Sequence, residues 1–315
     1  MKKNLFYYAF AVMTALCMTA CGDDEETTSP NNEQKTPTVT LTPPAHADQA
    51  VQYTITNGIT PEEDANAPTL KSLEVTEGGN VLLGFEDPTT KKVSYKSTSV
   101  SVDGNNYILG NNMGYFTKVQ ADAARATRAG GIRLILNIQV GNYKYETTAE
   151  APADAVAKAV SETGGAAGTY LARTWNITGM ILDLAGEVTC YAEFSGGNLA
   201  QVVAKANERG ANINEEEIKD FQKTIKSIEV TKAGTFNIIY TDGTIDAADW
   251  NWANNQYDKF SIRLKDSDMG NKFIAEETSV EIAFRDTRCN MTLKTKINDN
   301  KKYDVSLILQ LQAAN

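Results

Sequence analysis

The sequence predicts a mainly β protein: an antiparallel β-barrel or meander with a short helical insertion, preceded by a smaller β module. Three observations carry this. Leu70–Asp87 (LKSLEVTEGGNVLLGFED) returns as Ile225–Asp242 (IKSIEVTKAGTFNIIYTD). The copies match at Lys71/Lys226, Ser72/Ser227, Glu74/Glu229, Val75/Val230, Thr76/Thr231, Gly79/Gly234 and Asp87/Asp242, with apolar Leu83/Ile238 between them. Each copy reads as strand, glycine turn and strand, which is a β-hairpin. Short alternating apolar runs also recur throughout the rest of the chain, the pattern of an all-β architecture. Finally, 42% hydrophobic residues in 315 supply enough apolar material for about two folded cores.

The elements follow in order. Residues 1–20 read as a signal peptide, with basic Lys2 and Lys3, an apolar Leu5–Leu16 stretch and small residues before Cys21. The apolar stretch is too short to span a bilayer. Residues 21–47, rich in Thr, Pro, Asn and charge, read as a disordered tether. The only histidine, His46, lies there and is expected to be solvated. Residues 48–148 form the first module: a strand at Val51–Ile55, the first hairpin, strands at Lys92–Val102 and Asn106–Leu109, and a turn at Asp103-Gly104. Val119–Ala129 reads as a short helix or lid, and Ile132–Val140 with Tyr143–Thr147 as two further strands. Residues 149–167, with Ala153–Val160 as good helical material, connect the modules.

Residues 168–315 form the second module. Strands are expected across Gly168–Thr178, Met180–Leu184 and Glu187–Phe194. Leu199, Val202, Val203 and Ala206 then share one face of a helix ending at Gly210. Asn214 with Glu217 reads as the capped start of a second helix, whose first-turn acids offset the helix dipole. The second hairpin follows, then short strands from Trp250–Trp252 to Tyr303–Leu311, the last hairpin turning at Asn298–Asn300.

Two resemblances bear on identity. Met18-Thr19-Ala20-Cys21 resembles a bacterial lipobox, with Met18 where leucine is usual; this implies a diacylglyceryl and palmitate anchor on Cys21. The following Gly22-Asp23-Asp24-Glu25-Glu26 is similar to the surface-export signal of Bacteroidota lipoproteins. Together they imply an outer-membrane, lipid-anchored protein exposed at the cell surface. Trp175 on an opening strand, the helical insertion, AGTFNIIYTDGT and the Trp-containing strand resemble the lipocalin-like, or calycin-like, domains of Bacteroidota lipoproteins. The first module, which has no Trp, resembles a diverged relative. The resemblance implies a barrel whose mouth takes a small apolar ligand, but likeness of fold does not carry function across.

The candidate sites are few. Trp250 and Trp252 are two apart and point to one face of a strand, with Tyr257 nearby. They read either as a coplanar stacking platform for a ligand, a sugar ring included, or as barrel filling. Asp266-Ser267-Asp268-Met269-Gly270-Asn271 has carboxylates spaced as in a calcium loop but lacks the remaining ligands, so a solvated turn is expected and no metal. Cys190 and Cys289 read either as a disulfide, closing a loop of about 100 residues at on the order of 4 kcal/mol, or as two separate buried thiols. There is no phosphate loop, nucleophile elbow or Cys-His pair, so neither an enzyme nor a cofactor is expected. A formal charge of −10 disfavours nucleic acid. Two functions remain: a surface lipoprotein binding a small apolar or carbohydrate ligand, or a structural accessory of an outer-membrane complex with a filled barrel. No protein partner can be named from the sequence.

Overall fold

The structure is a computed structural model. It describes residues 44, 48–61, 64, 66–120, 131–152, 165–186, 189–213, 222–254, 256–264, 278–297 and 303–314. Several expectations lie outside these residues: the signal peptide, Cys21, the tether with His46, the connecting helix at Ala153–Val160, the Asn214–Glu217 cap, the Asp266–Asn271 turn and the Asn298–Asn300 turn.

Two antiparallel barrels make up the fold, one nearly closed and one closed. The first has β1 (Val51–Ile59), β2 (Thr69–Val75), β3 (Asn80–Glu86), β4 (Val93–Asp103), β5 (Asn106–Leu109), β6 (Gly114–Gln120), β7 (Gly131–Val140) and β8 (Tyr143–Pro152), paired in sequence order. β1 and β8 lie side by side without a ladder between them, and this seam is why the barrel is only nearly closed. Its core gathers Tyr53, Leu73, Leu83, Phe85, Phe116, Leu136 and Tyr145. The first module is the smaller, as expected: its described residues form eight strands, against nine strands and two helices in the second. β6 also replaces the start of the helix expected from Val119; the remainder of that stretch, 121–130, lies outside the described residues.

The second barrel opens with helix α1 (Gly165–Leu171), where the sequence suggested the start of a strand. β9 (Arg173–Gly186) follows, then β10 (Cys190–Ser195), helix α2 (Leu199–Glu208), β11 (Ile225–Val230), β12 (Thr235–Tyr240), β13 (Ile245–Trp252), β14 (Lys259–Leu264), β15 (Thr278–Arg285), β16 (Arg288–Ile297) and β17 (Tyr303–Ala313). The long β9 closes the barrel. One edge pairs with β17 along almost its whole length; the other pairs with β11 over Arg173–Asn176 and with β10 over Gly179–Leu184. α2 starts where the Asn198 side chain accepts the Gln201 amide, and it buries Leu199, Val202, Val203 and Ala206 against the core, the face expected from their spacing.

The two hairpins are equivalent in detail. Gly79 and Gly234 both take positive φ, +76° and +92°, which a side chain resists. Thr76 and Thr231 each donate their amide to the carbonyl of the residue four on, and each hydroxyl accepts that residue's amide at 3.1 Å. Val75 and Val230, and Leu83 and Ile238, face their respective cores.

Candidate functional site

Residues of β13 and β14, with Tyr257 in the turn between them, carry the aromatic group expected from the sequence. Trp250 is buried, Trp252 and Tyr257 are half-buried, and all three pack around Phe260 or one another. The structure corrects their geometry. The Trp250 and Trp252 rings lie 5.3 Å apart at 89°, and Trp252 meets Tyr257 at 73°. Phe260 stands edge-on to both tryptophans. Edge-to-face contact is what the ring quadrupoles favour when two large side chains share one face. Trp250, Trp252 and Tyr257 therefore do not form a coplanar platform.

Strand register also places this group. Val230 pairs with Arg173, Thr235 with Asp249, Trp252 with Phe260, and Ala313 with Trp175, so all lie at the barrel end where α1 enters β9. That end is filled. Trp175 is fully buried, donates its indole N–H to the Leu171 carbonyl at 2.9 Å and packs on Phe284, which Tyr170 also meets. The buried Arg173 donates to the Tyr170 carbonyl and lies over the Trp175 ring. Trp250 donates its indole N–H to the Thr231 carbonyl at 2.8 Å, whereas the buried indole nitrogen of Trp252 has no partner.

Cys190 and Cys289 are free and buried, so the bridge considered from the sequence is absent. The Cys190 thiol points at the Ala206 carbonyl of α2, 3.6 Å away, while burial pushes the Cys289 thiol far above its ordinary range. Both behave as small apolar core residues.

The sequence reading missed a set of buried carboxyls where the hairpins meet. Glu74, Glu77 and Glu229 are all almost fully buried. Glu74 of the first barrel accepts the Thr231 hydroxyl (2.5 Å) on one oxygen, and the Thr235 hydroxyl (2.7 Å) and Gln52 amide (3.1 Å) on the other. Glu229 of the second accepts the Thr76 hydroxyl (2.6 Å), the Asn80 amide (3.0 Å) and the Thr174 hydroxyl (3.1 Å), all on one oxygen. The exchange is reciprocal. Each glutamate takes the threonine two residues after its counterpart and the residue that opens the next strand of the other barrel, the pattern of an isologous interface within one chain. Glu77 accepts the Lys232 amide at 3.0 Å. Gly78 lets the turn approach: a Cβ there would lie 2.2 Å from the Thr174 hydroxyl and 2.7 Å from a Glu229 oxygen.

Electrostatics divides the pair. Both Glu74 oxygens have donors, which suits a carboxylate. The second oxygens of Glu229 and Glu77 are buried without a partner. Burial raises the Glu229 carboxyl above its usual range, against the pull of its three donors, and pushes the Glu77 carboxyl up to about 7. The available sequence signal was the repetition of Glu-Val-Thr in both hairpins. Alternation turns Glu and Thr away from the barrel core, and core packing alone gives no reason to repeat them.

No family model, curated protein or solved structure matches this chain.

Proposed function

We infer that the protein is a non-enzymatic lipoprotein of the outer membrane, anchored through Cys21 and exposed at the cell surface. In this reading it is a structural or interaction accessory of an outer-membrane complex, presenting two joined barrels on a tether. One observation carries the accessory role: the aromatic side chains that would line a binding site are packed edge-on against one another. The lipobox-like Met18–Cys21 and the acidic run after it support the anchor and the surface location, and the order of motifs in residues 168–315 supports a lipocalin-like domain of the Bacteroidota type.

A second reading, capture of a small apolar or carbohydrate ligand, rests on a different observation. The indole N–H of Trp252 is buried and unpartnered beside the half-buried Tyr257, so a ligand acceptor reaching it would remove a desolvation cost.

Mass spectrometry of small molecules co-purifying with the soluble form lacking residues 1–21 separates the two. The accessory reading expects no stoichiometric small molecule; one lost on Trp252→Phe would establish the ligand reading in its place. For the anchor, Cys21→Ala should abolish palmitate labelling and release the protein from the outer membrane. A variant that still labels and sediments would overturn the lipoprotein reading.

A further inference from the structure

We propose that the junction between the barrels is a proton-operated clamp, closed while Glu77 and Glu229 carry their protons and loosened when Glu77 ionises. Its geometry is that of an interface sealed around carboxyls whose hydrogen bonding is incomplete. Glu77 and Glu229 each have one oxygen bonded across the junction and one buried with no partner. A protonated carboxyl tolerates that arrangement far better than a carboxylate, whose second oxygen would hold buried charge with no donor.

The surrounding groups do not relieve the charge. β2 and its turn bring Glu74 and Glu77, and β11 and its turn bring Glu229 and Lys232. β13 brings Asp249, which shares its face with Thr235. β1, β3, β9 and β12 present the neutral Gln52, Asn80, Thr174, Thr235 and Asn237. Glu74 raises the cost of ionising either neighbour, and Lys232 offsets only part of it at Glu77.

The direction in pH follows from linkage. Burial first, then the negative Glu74, lifts the Glu77 carboxyl from 4.5 to about 7, against the Glu77 and Lys232 backbone hydrogen bonds and the Lys232 charge. Glu77 thus binds its proton more tightly in the closed junction than in the open or unfolded chain. Its stabilisation of the closed state is complete below about 4.5 and is lost as pH rises through about 7. Glu229 shifts the same way. Acidification tightens the clamp; alkaline conditions loosen it without unfolding either barrel, because each has its own core.

The test is hydrogen exchange of the intact chain from about pH 5.5 to about pH 8.5, corrected for the intrinsic pH dependence of amide exchange. The reporter is the Lys232 amide, which donates to Glu77; Leu136 in β7 and Leu309 in β17 report on the two barrels. Protection at Lys232 should fall by at least about tenfold across this range while the ladder amides hold. Glu77→Gln, which keeps the acceptor and removes the titration, should flatten the profile. Flat protection in the wild type, a fall shared by both ladders, or a fall that persists in E77Q would overturn the proposal. The carboxyl 13C shift of Glu77 in the wild type gives a check that needs no variant. A midpoint near neutrality, coincident with the loss of Lys232 protection, supports the clamp; a midpoint in the ordinary carboxylate range refutes it.

Discussion

Replacing Asn237 by an apolar residue should stabilise the protein. The residue is fully buried on β12, and neither its amide nitrogen nor its carbonyl oxygen has a hydrogen-bond partner. Phe236 and Ile238 on either side point into the barrel core, so Asn237 points out, toward the first barrel. Its cross-strand neighbour is Glu229, just as the cross-strand neighbour of Leu82 is Glu74. Asn237 and Leu82 therefore occupy equivalent places, one polar and one apolar, and Leu82 is buried at 3% exposure. An orphaned buried amide costs about 1–3 kcal/mol, which an apolar side chain recovers. Leucine is bulkier than asparagine, and overpacking of about 1–3 kcal/mol could cancel that gain, so valine is the cleaner substitution. Asn237→Val should raise stability by about 1 kcal/mol or more, with Asn237→Leu between that and zero. Urea unfolding followed by tryptophan fluorescence is well placed to read it, since Trp175, Trp250 and Trp252 all lie in the second barrel. If Asn237→Val instead destabilises by more than about 1 kcal/mol, the amide has a partner such as a buried water, and the repeat-based argument fails.

The other predictions concern the hairpins. Thr231→Val removes a hydroxyl that donates to Glu74 and accepts the Thr235 amide, and Thr76→Val is its counterpart toward Glu229 and Asn80. Because Glu74 has the donor set of a carboxylate while burial favours the neutral form of Glu229, Thr231→Val should cost about 2–4 kcal/mol and Thr76→Val about 1 kcal/mol less; denaturation giving the reverse order would contradict this division of charge. Gly234→Val should cost about 1–3 kcal/mol through its +92° φ alone, since a Cβ there meets nothing closer than the Trp250 carbonyl at 3.5 Å; a thermal melt unchanged from wild type would show that the turn relaxes freely. Leu83→Ala and Ile238→Ala should each cost about 2–5 kcal/mol in denaturant, and a negligible loss at either would mean that the two cores are not equivalent.

How much of this was legible divides along the range of the signal. The internal repeat gave both hairpins, their turn glycines and the inward orientation of Val75, Val230, Leu83 and Ile238, because the two-residue period of a strand fixes the facing of every residue once the turn is placed. The helical face of α2 followed from Leu199, Val202, Val203 and Ala206 by the same local logic at a different period. Closure was not local. Whether β1 and β8 zip together depends on how eight strands tilt and stagger, which no single stretch encodes. α1 was missed because Gly165–Leu171 is small and carries no helical apolar period; in the structure its Leu171 carbonyl accepts the Trp175 indole N–H.

At the aromatic pair the sequence left two readings open, and at the junction it prompted none, for opposite reasons. Spacing by two correctly put Trp250 and Trp252 on one face, but it says nothing about χ angles, and those decide between a coplanar platform and rings at 89°. At the junction, spacing turned Glu74 and Glu229 outward, and outward ordinarily means solvated. What reverses that inference is the repeat itself. A barrel whose outward hairpin face carries Glu-x-Thr has both acceptor and donor there, and a second barrel with the same face can satisfy it reciprocally. A chain carrying the motif twice thus holds both halves of one interface. The copies diverge at Glu77 against Lys232 and at Leu82 against Asn237, and there the reciprocity is lost: Glu77 and Asn237 both carry buried polar atoms with no partner. Glu229 lies at a matched position, opposite Glu74, and differs because its three donors share one oxygen where those of Glu74 divide between two.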